Sequence, residues 1–262
     1  MRGAKFDMGM ERDMGMELEL DIEKIKSRYS SLAEIWPEDD KWHSYTHRFT
    51  QGYLERAAAK MAVGAATKLL NVGSAGNEYG ILAEHYHVDI VFDKIAALPR
   101  ACEASAEALP FGDGVFDGCL CVGSVIDYCD ASRALPEFSR VLRDGGFLIF
   151  DFEQTRTLQL LGTKDYGRDA CVADTFYCGE TERLRLYSPG YIRGLLDGAG
   201  LAVAHREYCH ILSPLAYRLC RDENRAARLA VLDSAARRVP FLGKNSCNVI
   251  MTCQKIGASH ET

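Results

Sequence analysis

The stretch that decides the fold is KLLNVGSAGNEYG, residues 68–80. Its opening residues are mostly apolar, which predicts a buried strand over 68–72. Gly73 and Gly76 follow at once and predict a tight turn, because glycine reaches backbone conformations that other residues avoid. We expect a helix over 77–85 after the turn. A strand, a glycine turn and a helix in this order begin many nucleotide-binding α/β folds, although many such turns bind nothing.

A second apolar run, VDIVFD at 88–93, predicts the next strand and places Asp93 at its end. Asp93 lies twenty residues after Gly73. A carboxylate at this place can accept hydrogen bonds from both hydroxyls of a ribose. Together, the turn and the carboxylate favour a nucleoside-type ligand over a purely structural turn.

Three later motifs make the pattern more specific. They are AEALPF at 106–111, FD at 116–117 and LRDGG at 142–146. In this order and spacing, and together with LNVGSAG, they resemble the class I S-adenosylmethionine-dependent methyltransferases. The closest resemblance is to the small-molecule group that includes the ubiquinone and menaquinone biosynthesis enzymes. It covers residues 68–152 and decides against a nicotinamide dehydrogenase.

The resemblance implies S-adenosylmethionine as cofactor and S-adenosylhomocysteine as product. The chain departs from the family at Asn71, where an acidic residue is usual, and at Ala75, where the second glycine of the turn falls. Ser105 replaces the aspartate that commonly receives the adenine amino group. Each change keeps a small or hydrogen-bonding side chain. The positions implied as cofactor contacts are Gly73, Ser74, Ala75, Gly76, Asp93, Lys94, Ser105, Ala106, Val122 and Gly123.

The order of the remaining elements predicts the fold class and the domains. Strands alternate with helices, which is typical of a largely parallel sheet covered on both faces. We expect a Rossmann-like, doubly wound α/β fold with a mostly parallel seven-stranded sheet, as in the resembled family. Residues 1–17 are expected to be a disordered acidic tail and 18–67 an N-terminal helical cap. The core then occupies 68–262, with a lid-like insertion at about 153–187.

Apolar residues recur at helical spacing near the N-terminus and end before Pro37, which predicts one amphipathic helix. A second helix is expected over 44–67. The two helices either cover the sheet or form a lid over the ligand site, as N-terminal helices do in the resembled family. Tyr45 and Arg48 are candidates there for contact with the cofactor or the substrate. The stripe of the first helix consists of Leu18, Ile22, Ile25, Tyr29, Leu32 and Trp36.

The composition argues against several functional classes. A formal net charge of −6 lacks the basic surface expected for general nucleic-acid binding. No apolar run is long enough to span a membrane, and the N-terminus has no continuous apolar core typical of a secretory signal. The ten cysteines are scattered and form no paired C-x-x-C motif. We therefore expect a reduced, cytoplasmic protein with no membrane span, no disulfide scaffold and no metal.

A helix predicted over about 213–239 carries arginines at steps of three and four residues. The ordinary interpretation is a solvated helix face. The alternative is a docking surface for an anionic partner, such as a carrier protein, an acidic peptide or a membrane surface. The arginines are Arg218, Arg221, Arg225 and Arg228.

Catalytic groups are the least specified part of the sequence. Methyl transfer is an in-line displacement, so much of its acceleration can come from positioning and from exclusion of water. A general base is needed only when the acceptor first loses a proton. Asp127 and Tyr128 follow the fourth predicted strand and are candidates, as is His210 near the end of the sixth. Asp127 is equally expected to cap a helix, and His210 to be a structural residue.

The sequence thus predicts methyl transfer from S-adenosylmethionine to a small molecule or a peptide end, at oxygen or nitrogen. A rival function from another class is a non-catalytic sensor or scaffold that keeps the fold and holds a nucleoside. The departures at Asn71, Ala75 and Ser105 leave that rival open.

Overall fold

The computed structural model describes residues 20–177 and 180–257. Seven strands form one sheet, and two more pair separately as an antiparallel hairpin. The strands are β1 (Lys68–Val72), β2 (Glu84–Asp89), β3 (Ala101–Glu103), β4 (Phe116–Cys121), β5 (Leu142–Glu153), β6 (Ala170–Tyr177), β7 (Glu180–Tyr187), β8 (Leu201–Cys209) and β9 (Asn248–Lys255).

The large sheet has the strand order β3-β2-β1-β4-β5-β9-β8. The first five strands of the chain pair in parallel, and β9 runs antiparallel between β5 and β8. The predicted fold class, a mostly parallel seven-stranded sheet, is confirmed. The hairpin of β6 and β7 lies within the segment predicted as a lid-like insertion.

Four of the longer helices begin where a side chain accepts a hydrogen bond from a backbone N–H two or three residues later. The capping residues are Asp21, Asp40, Asp130 and Ser188. The longer helices are α1 (Ile22–Ser31), α2 (Lys41–Lys60), α3 (Ala131–Val141), α4 (Pro189–Gly198) and α5 (Ser213–Cys220). Single turns of α-helix follow at Glu223–Ala226, Asp233–Ala236 and Pro240–Gly243, and 3-10 turns lie at Phe92–Lys94, Val125–Tyr128 and Ala227–Leu232.

Helices cover the sheet on both faces. On one face α3 packs against the strands through fully buried side chains such as Leu135 and Phe138. On the other, α2 contributes Tyr53 and Leu54 to a second buried cluster, and the Tyr53 hydroxyl lies 2.7 Å from Thr252 Oγ1 of β9. These two layers fix the sheet and leave the carboxyl ends of its parallel strands free to form a site.

The connection between β1 and β2 contains no helix, so the helix predicted over 77–85 is wrong. A helix needs successive residues with negative φ. This connection, residues 73–83, instead passes repeatedly through positive φ. The residues in that conformation are Gly73, Ala75, Gly76, Tyr79 and Gly80.

β2 ends at Asp89, four residues before the predicted strand end at Asp93. The strand was placed too late because its buried positions include His85 and His87, which are 4% and 0% exposed. Histidine does not mark a buried face in an apolar pattern. Asp93 lies in the 3-10 turn after the strand and is exposed to solvent.

The single helix predicted over 213–239 is also wrong. Arg221 ends α5 in the left-handed region, with φ of 56°. Asp222 then accepts a hydrogen bond from the Arg225 N–H and starts a new short helix. Because the helix breaks at this point, the predicted basic face of Arg218, Arg221, Arg225 and Arg228 does not form on one continuous helix.

The first helix is shorter than predicted, because it ends at Ser31 rather than at Pro37. The residues between α1 and α2 form an irregular segment that carries Trp36. The predicted tail, 1–17, and Leu18 lie outside the described residues. Within the ranges that the structure describes, none of the helices has the length and apolar content needed to cross a membrane.

Candidate cofactor and acceptor site

A deep cavity lies at the carboxyl ends of β1, β2 and β4, which is where open α/β sheets bind ligands. Its floor comes from the loops that follow these strands. Its roof comes from α1, the start of α2 and the β6–β7 hairpin. The lining therefore joins segments that are far apart in sequence.

The turn after β1 forms part of the floor through Gly73, Ser74 and Ala75. Gly73 has φ of 68°, and a Cβ built there would lie 2.5 Å from Val125 Cγ1. Both the backbone conformation and the contact exclude a larger residue. Within the protein itself, Val125 is the residue that packs closely against this turn.

Asp89 is the carboxylate at the end of β2, and it lines the cavity at only 7% exposure. Its two oxygens accept hydrogen bonds from the Ala75 N–H at 3.0 Å and the Val91 N–H at 2.9 Å. Burial raises the pKa of Asp89, and these backbone donors oppose the shift. Asp93, the residue predicted for this place, is not part of the cavity lining.

The loop after β4 forms the other side of the floor. Val122 and Gly123 line the cavity, and a Cβ at Gly123 would lie 3.1 Å from the Trp36 indole. Ser124 lies in the left-handed region with φ of 61°, and its N–H donates to Asp151 Oδ1 at 2.9 Å. A non-glycine residue in this conformation at a cavity wall is held there by its surroundings.

The other predicted cofactor contacts divide into two groups. Ser105, Ala106 and Lys94 line the cavity, with Ser105 near the β3 end and the Lys94 ammonium donating to the Leu32 carbonyl. Gly76 does not line it. The Lys94 carbonyl lies 3.1 Å from where a Gly76 Cβ would stand.

Tyr45 and Arg48 are also outside the cavity. The Tyr45 hydroxyl donates to Asp233 Oδ2 at 3.2 Å, and its ring meets the His210 ring edge-on. Arg48 is exposed to solvent. Both side chains were predicted from their place near the start of α2, and that helix turns them away from the ligand space.

The roof is rich in aromatic side chains. Tyr29 of α1 and Tyr128 after β4 meet through their hydroxyls at 2.8 Å, and Tyr128 also donates to Glu182 of the hairpin. Arg28 binds the Glu182 carboxylate and the Tyr177 carbonyl of the same hairpin. The cap and the insertion are therefore joined to each other over the cavity. Further aromatic lining comes from Trp36, Trp42 and Tyr177.

His43 and Glu153 are titratable groups that also line the cavity. His43 carries its Nδ1 at 2.7 Å from Asp40 Oδ2. Burial alone would raise the pKa of Asp40, but hydrogen bonds from the side chain and backbone of His43 outweigh it and lower that pKa. Glu153, at the end of β5, has its pKa raised by burial, and the nearby His43 opposes this shift.

Comparisons with known proteins agree with this geometry. A family model described as a methyltransferase domain matches residues 61–150, which includes β1 to β4 and most of β5. Residues 61–150 therefore form a domain of the class I S-adenosylmethionine-dependent methyltransferase type. The resemblance stated from the sequence motifs is confirmed, as are methyltransferase activity and S-adenosylmethionine as cofactor.

Two curated relatives align with this chain. An uncharacterised protein of Methanocaldococcus jannaschii is 30% identical over 132 residues, which cover 48% of this chain and only half of that protein. A demethylmenaquinone methyltransferase of Mycolicibacterium vanbaalenii is 26% identical over 196 residues, covering 71% of this chain and 85% of that enzyme.

One solved structure shares the fold over nearly the whole chain. It is a Burkholderia thailandensis 1,6-didemethyltoxoflavin-N1-methyltransferase with bound 1,6-didemethyltoxoflavin and S-adenosylhomocysteine. The TM-score is 0.53 at 12% identity, and the match covers 98% of this chain and 94% of that one. At this identity the likeness shows the fold alone.

The predicted catalytic candidates lie in different surroundings. Tyr128 lines the cavity, and burial raises its pKa well above the usual range. Asp127 is fully buried outside the lining, where it accepts hydrogen bonds from the Glu153 N–H at 3.0 and 3.2 Å. It holds β5 against the 3-10 turn after β4, and Asp130, not Asp127, caps α3.

His210 is also away from the cavity. Its ring stacks on Trp42 with centroids 3.9 Å apart, and its Nε2 lies 3.0 Å from Thr46 Oγ1. Burial lowers the pKa of His210 to about 3, so the ring is neutral. This is the structural role that the sequence left open.

Sequence reasoning missed Asp89, His43 and Glu153. Asp89 was inside the predicted strand 88–93 rather than at its end. Asp40 and His43 stand in a D-x-x-H pattern at a helix start, where the aspartate reads as an ordinary cap. Asp40 and His43 come to lie under the hairpin only in the folded chain. No local sequence pattern therefore distinguishes them from an ordinary helix cap.

Proposed function

We propose that Asp89, in place of Asp93, binds the ribose hydroxyls of S-adenosylmethionine. The support is its position at the strand end, its place in the cavity lining and its backbone hydrogen bonds, which favour the ionised form. The loops that carry Gly73 and Gly123 line the same cavity. Ser105 and Ala106 line the same cavity, and the resemblance implies that they contact the cofactor.

We further propose a small, largely apolar acceptor with a planar ring. The observation that carries this is the aromatic roof, which faces the cofactor loops across the cavity. Aromatic side chains favour stacking and edge-on contacts with other rings. Because α1 and the hairpin close over the same space, the cavity suits a small molecule better than a peptide end.

His43 is our proposed general base. The ionised Asp40 accepts the Nδ1–H of His43, which leaves the Nε2 lone pair to take a proton from an acceptor hydroxyl or N–H. The imidazolium that forms is stabilised by Asp40 and by the Glu153 carboxylate. Bound S-adenosylmethionine supplies an electrophilic methyl group. The residues of the chain orient the acceptor, remove its proton and exclude water.

The test is turnover on a defined panel. The full chain is incubated with S-adenosylmethionine and small phenols, quinols and nitrogen heterocycles, with short peptides as a separate arm. Methylated product and equivalent S-adenosylhomocysteine are followed by mass spectrometry. Product from ring compounds only is the expected result. Product from peptides only would contradict the acceptor class, and tight cofactor binding without product in either arm favours the sensor or scaffold.

A cytoplasmic location belongs to the same proposal. It is supported by the cysteines in the described ranges, which are all free thiols. Free thiols are the usual state in a reducing compartment. An anionic partner at the arginines after α5 gains no support, because the helix on which it depended is broken.

A further inference from the structure

The connection of residues 73–83 brings Glu78 beside two histidines of β2. His85 and His87 project from the same face of the strand, with ring centroids 5.8 Å apart and an interplanar angle of 17°. One potential ligand atom from each of the three side chains lies within 4.8 Å of the other two. This cluster is separate from the cavity lining described above.

Both imidazoles carry an unsatisfied buried nitrogen. His85 Nε2 lies 2.8 Å from the Ile81 carbonyl and His87 Nε2 lies 3.2 Å from Glu78 Oε1. The Nδ1 atom of each ring is buried and has no hydrogen-bond partner in the described part of the chain. A buried polar atom without a partner costs free energy, so two such Nδ1 atoms on neighbouring rings need an explanation.

The neighbouring strand adds to the same corner. Asn71 of β1 is the register partner of His87, and in a parallel pair such partners point to one face. Its Nδ2 donates to the Asn77 carbonyl at 2.8 Å, but its Oδ1 is buried with no partner among the described residues. Unsatisfied polar atoms thus gather where the connection covers β2.

We propose that Glu78, His85 and His87 form a zinc site. Imidazole nitrogen and carboxylate oxygen are ligands that zinc prefers, and three protein ligands leave one position for water. The bond from His85 Nε2 to the Ile81 carbonyl fixes the ring tautomer and leaves Nδ1 as the ligand atom, an arrangement typical of metal-binding histidines. The Glu78 side chain is 43% exposed, which gives the ion a path from solvent.

The ligand separations are compatible with this ion. Zinc bonds of about 2.0 Å in a tetrahedron place ligand atoms about 3.3 Å apart, so small side-chain rotations draw the three groups together.

The site would join the connection between β1 and β2 to the strand below it. That connection lacks the predicted helix, so a metal would hold it in place of helix packing. No metal was expected from the sequence, because it contains no paired C-x-x-C motif. The H-x-H pair at 85–87 is a different motif. It indicates a metal site only once the fold of the connection places Glu78 beside it.

The primary test measures zinc binding to the tag-free full chain after treatment with a chelator. Calorimetry should show one zinc bound per chain. The melting temperature should rise on the order of 5 °C at a zinc concentration of about 100 times the Kd. Magnesium at the same concentration should give no shift, because it prefers all-oxygen sites. No cofactor is added, so this result stands apart from the proposed methyl transfer.

Variants separate a metal site from a simple hydrogen-bonded pair. Glu78→Gln keeps a hydrogen-bonding group beside His87 but removes the anionic ligand, and it should weaken zinc binding at least about tenfold. His87→Gln should abolish binding, with circular dichroism to check the fold. His205→Gln is the matched control, since His205 is half-exposed on β8, and it should bind zinc like the wild type.

The proposal is overturned if the wild-type chain binds no zinc. It is equally overturned if Glu78→Gln, which changes a half-exposed side chain and should fold normally, binds zinc as tightly as the wild type. In that case any bound zinc is held elsewhere, and Glu78 and His87 form only a hydrogen-bonded pair.

Discussion

The floor and the roof of the cavity differ in how they are built. The floor comes from loops directly after β1, β2 and β4, and it depends on backbone N–H groups, glycines and one buried carboxylate, Asp89. The roof comes from α1, the start of α2 and the hairpin, joined through the side chains of Arg28, Tyr29 and Tyr128. The floor is therefore a property of short motifs, whereas the roof exists only in the folded chain.

The comparison predicts that roof and floor variants fail in different ways. The largest effect is expected at His43, which serves acceptor chemistry and not the cofactor. His43→Asn should lower turnover by about 10² to 10⁴. The Kd for S-adenosylhomocysteine should remain within about twofold of wild type. Steady-state kinetics and calorimetry check the two values, and a normal turnover number would exclude His43 as the base.

Gly73 belongs to the floor, and its replacement should damage the fold itself. Gly73→Ala adds a Cβ at 2.5 Å from Val125 Cγ1 and forces alanine into positive φ. The expected loss is on the order of 3 kcal/mol of unfolding free energy without any ligand. Urea denaturation measures it. The double variant Gly73→Ala with Val125→Ala should recover part of the loss, and no recovery would show that Val125 is not the cause.

Arg28 tests whether the two parts of the roof act together. Its side chain is 11% exposed and binds Glu180, Glu182 and the Tyr177 carbonyl of the hairpin. Arg28→Ala should lower turnover about tenfold, because it leaves the buried Glu182 carboxylate without its cationic partner. Cofactor affinity should be unchanged.

The matched control for this variant is Arg225→Ala. Arg225 is exposed and pairs only within its own turn, with Asp222 at 3.2 Å, and such a pair contributes little. Equal turnover in the two variants would contradict a joined roof.

The smallest effect concerns pH. Burial lowers the pKa of His210 to about 3, whereas a histidine in an unfolded chain titrates near 6.5. Below about pH 6.5 the unfolded chain takes up a proton that the folded chain does not. The contribution of His210 to the free energy of unfolding is therefore complete above that pH and is lost as the pH falls toward 3. The slope is at most about 1.4 kcal/mol per pH unit.

Denaturation between pH 7 and 5, in buffers about one unit apart, compares the wild type with His210→Gln. The variant should show the weaker dependence on pH. Parallel curves for the two proteins would mean that His210 takes up its proton in the folded state as readily as in the unfolded state.

The sequence predicted the floor better than the roof for a physical reason. A strand followed by glycines, and motifs such as AEALPF, are local patterns whose geometry follows from neighbouring residues. Asp93 was wrongly placed at the end of β2 because the buried residues of that strand include His85 and His87, which an apolar pattern does not detect. The wrongly predicted helix after β1 has a similar cause. Ala75 and Tyr79 adopt positive φ there, which their residue types do not predict.

The roof required long-range information. Tyr29 and Tyr128 meet across 99 residues of sequence, and Arg28 reaches the hairpin 154 residues away at Glu182. The stripe of α1 was recognised as apolar, but the sequence could not show that Ile22, Ile25 and Tyr29 face a cavity instead of the sheet. The lid function of the cap and the insertion remains a prediction.

The central claim is that Asp89 holds the cofactor and Asp93 does not. The most direct test is calorimetric titration of S-adenosylhomocysteine into Asp89→Asn and its matched control Asp93→Asn. The account predicts a Kd about 10 to 1,000 times weaker for Asp89→Asn, because two charge-assisted hydrogen bonds are lost. Asp93→Asn should bind like the wild type. Wild-type affinity in Asp89→Asn, or a large loss in Asp93→Asn, would contradict the account.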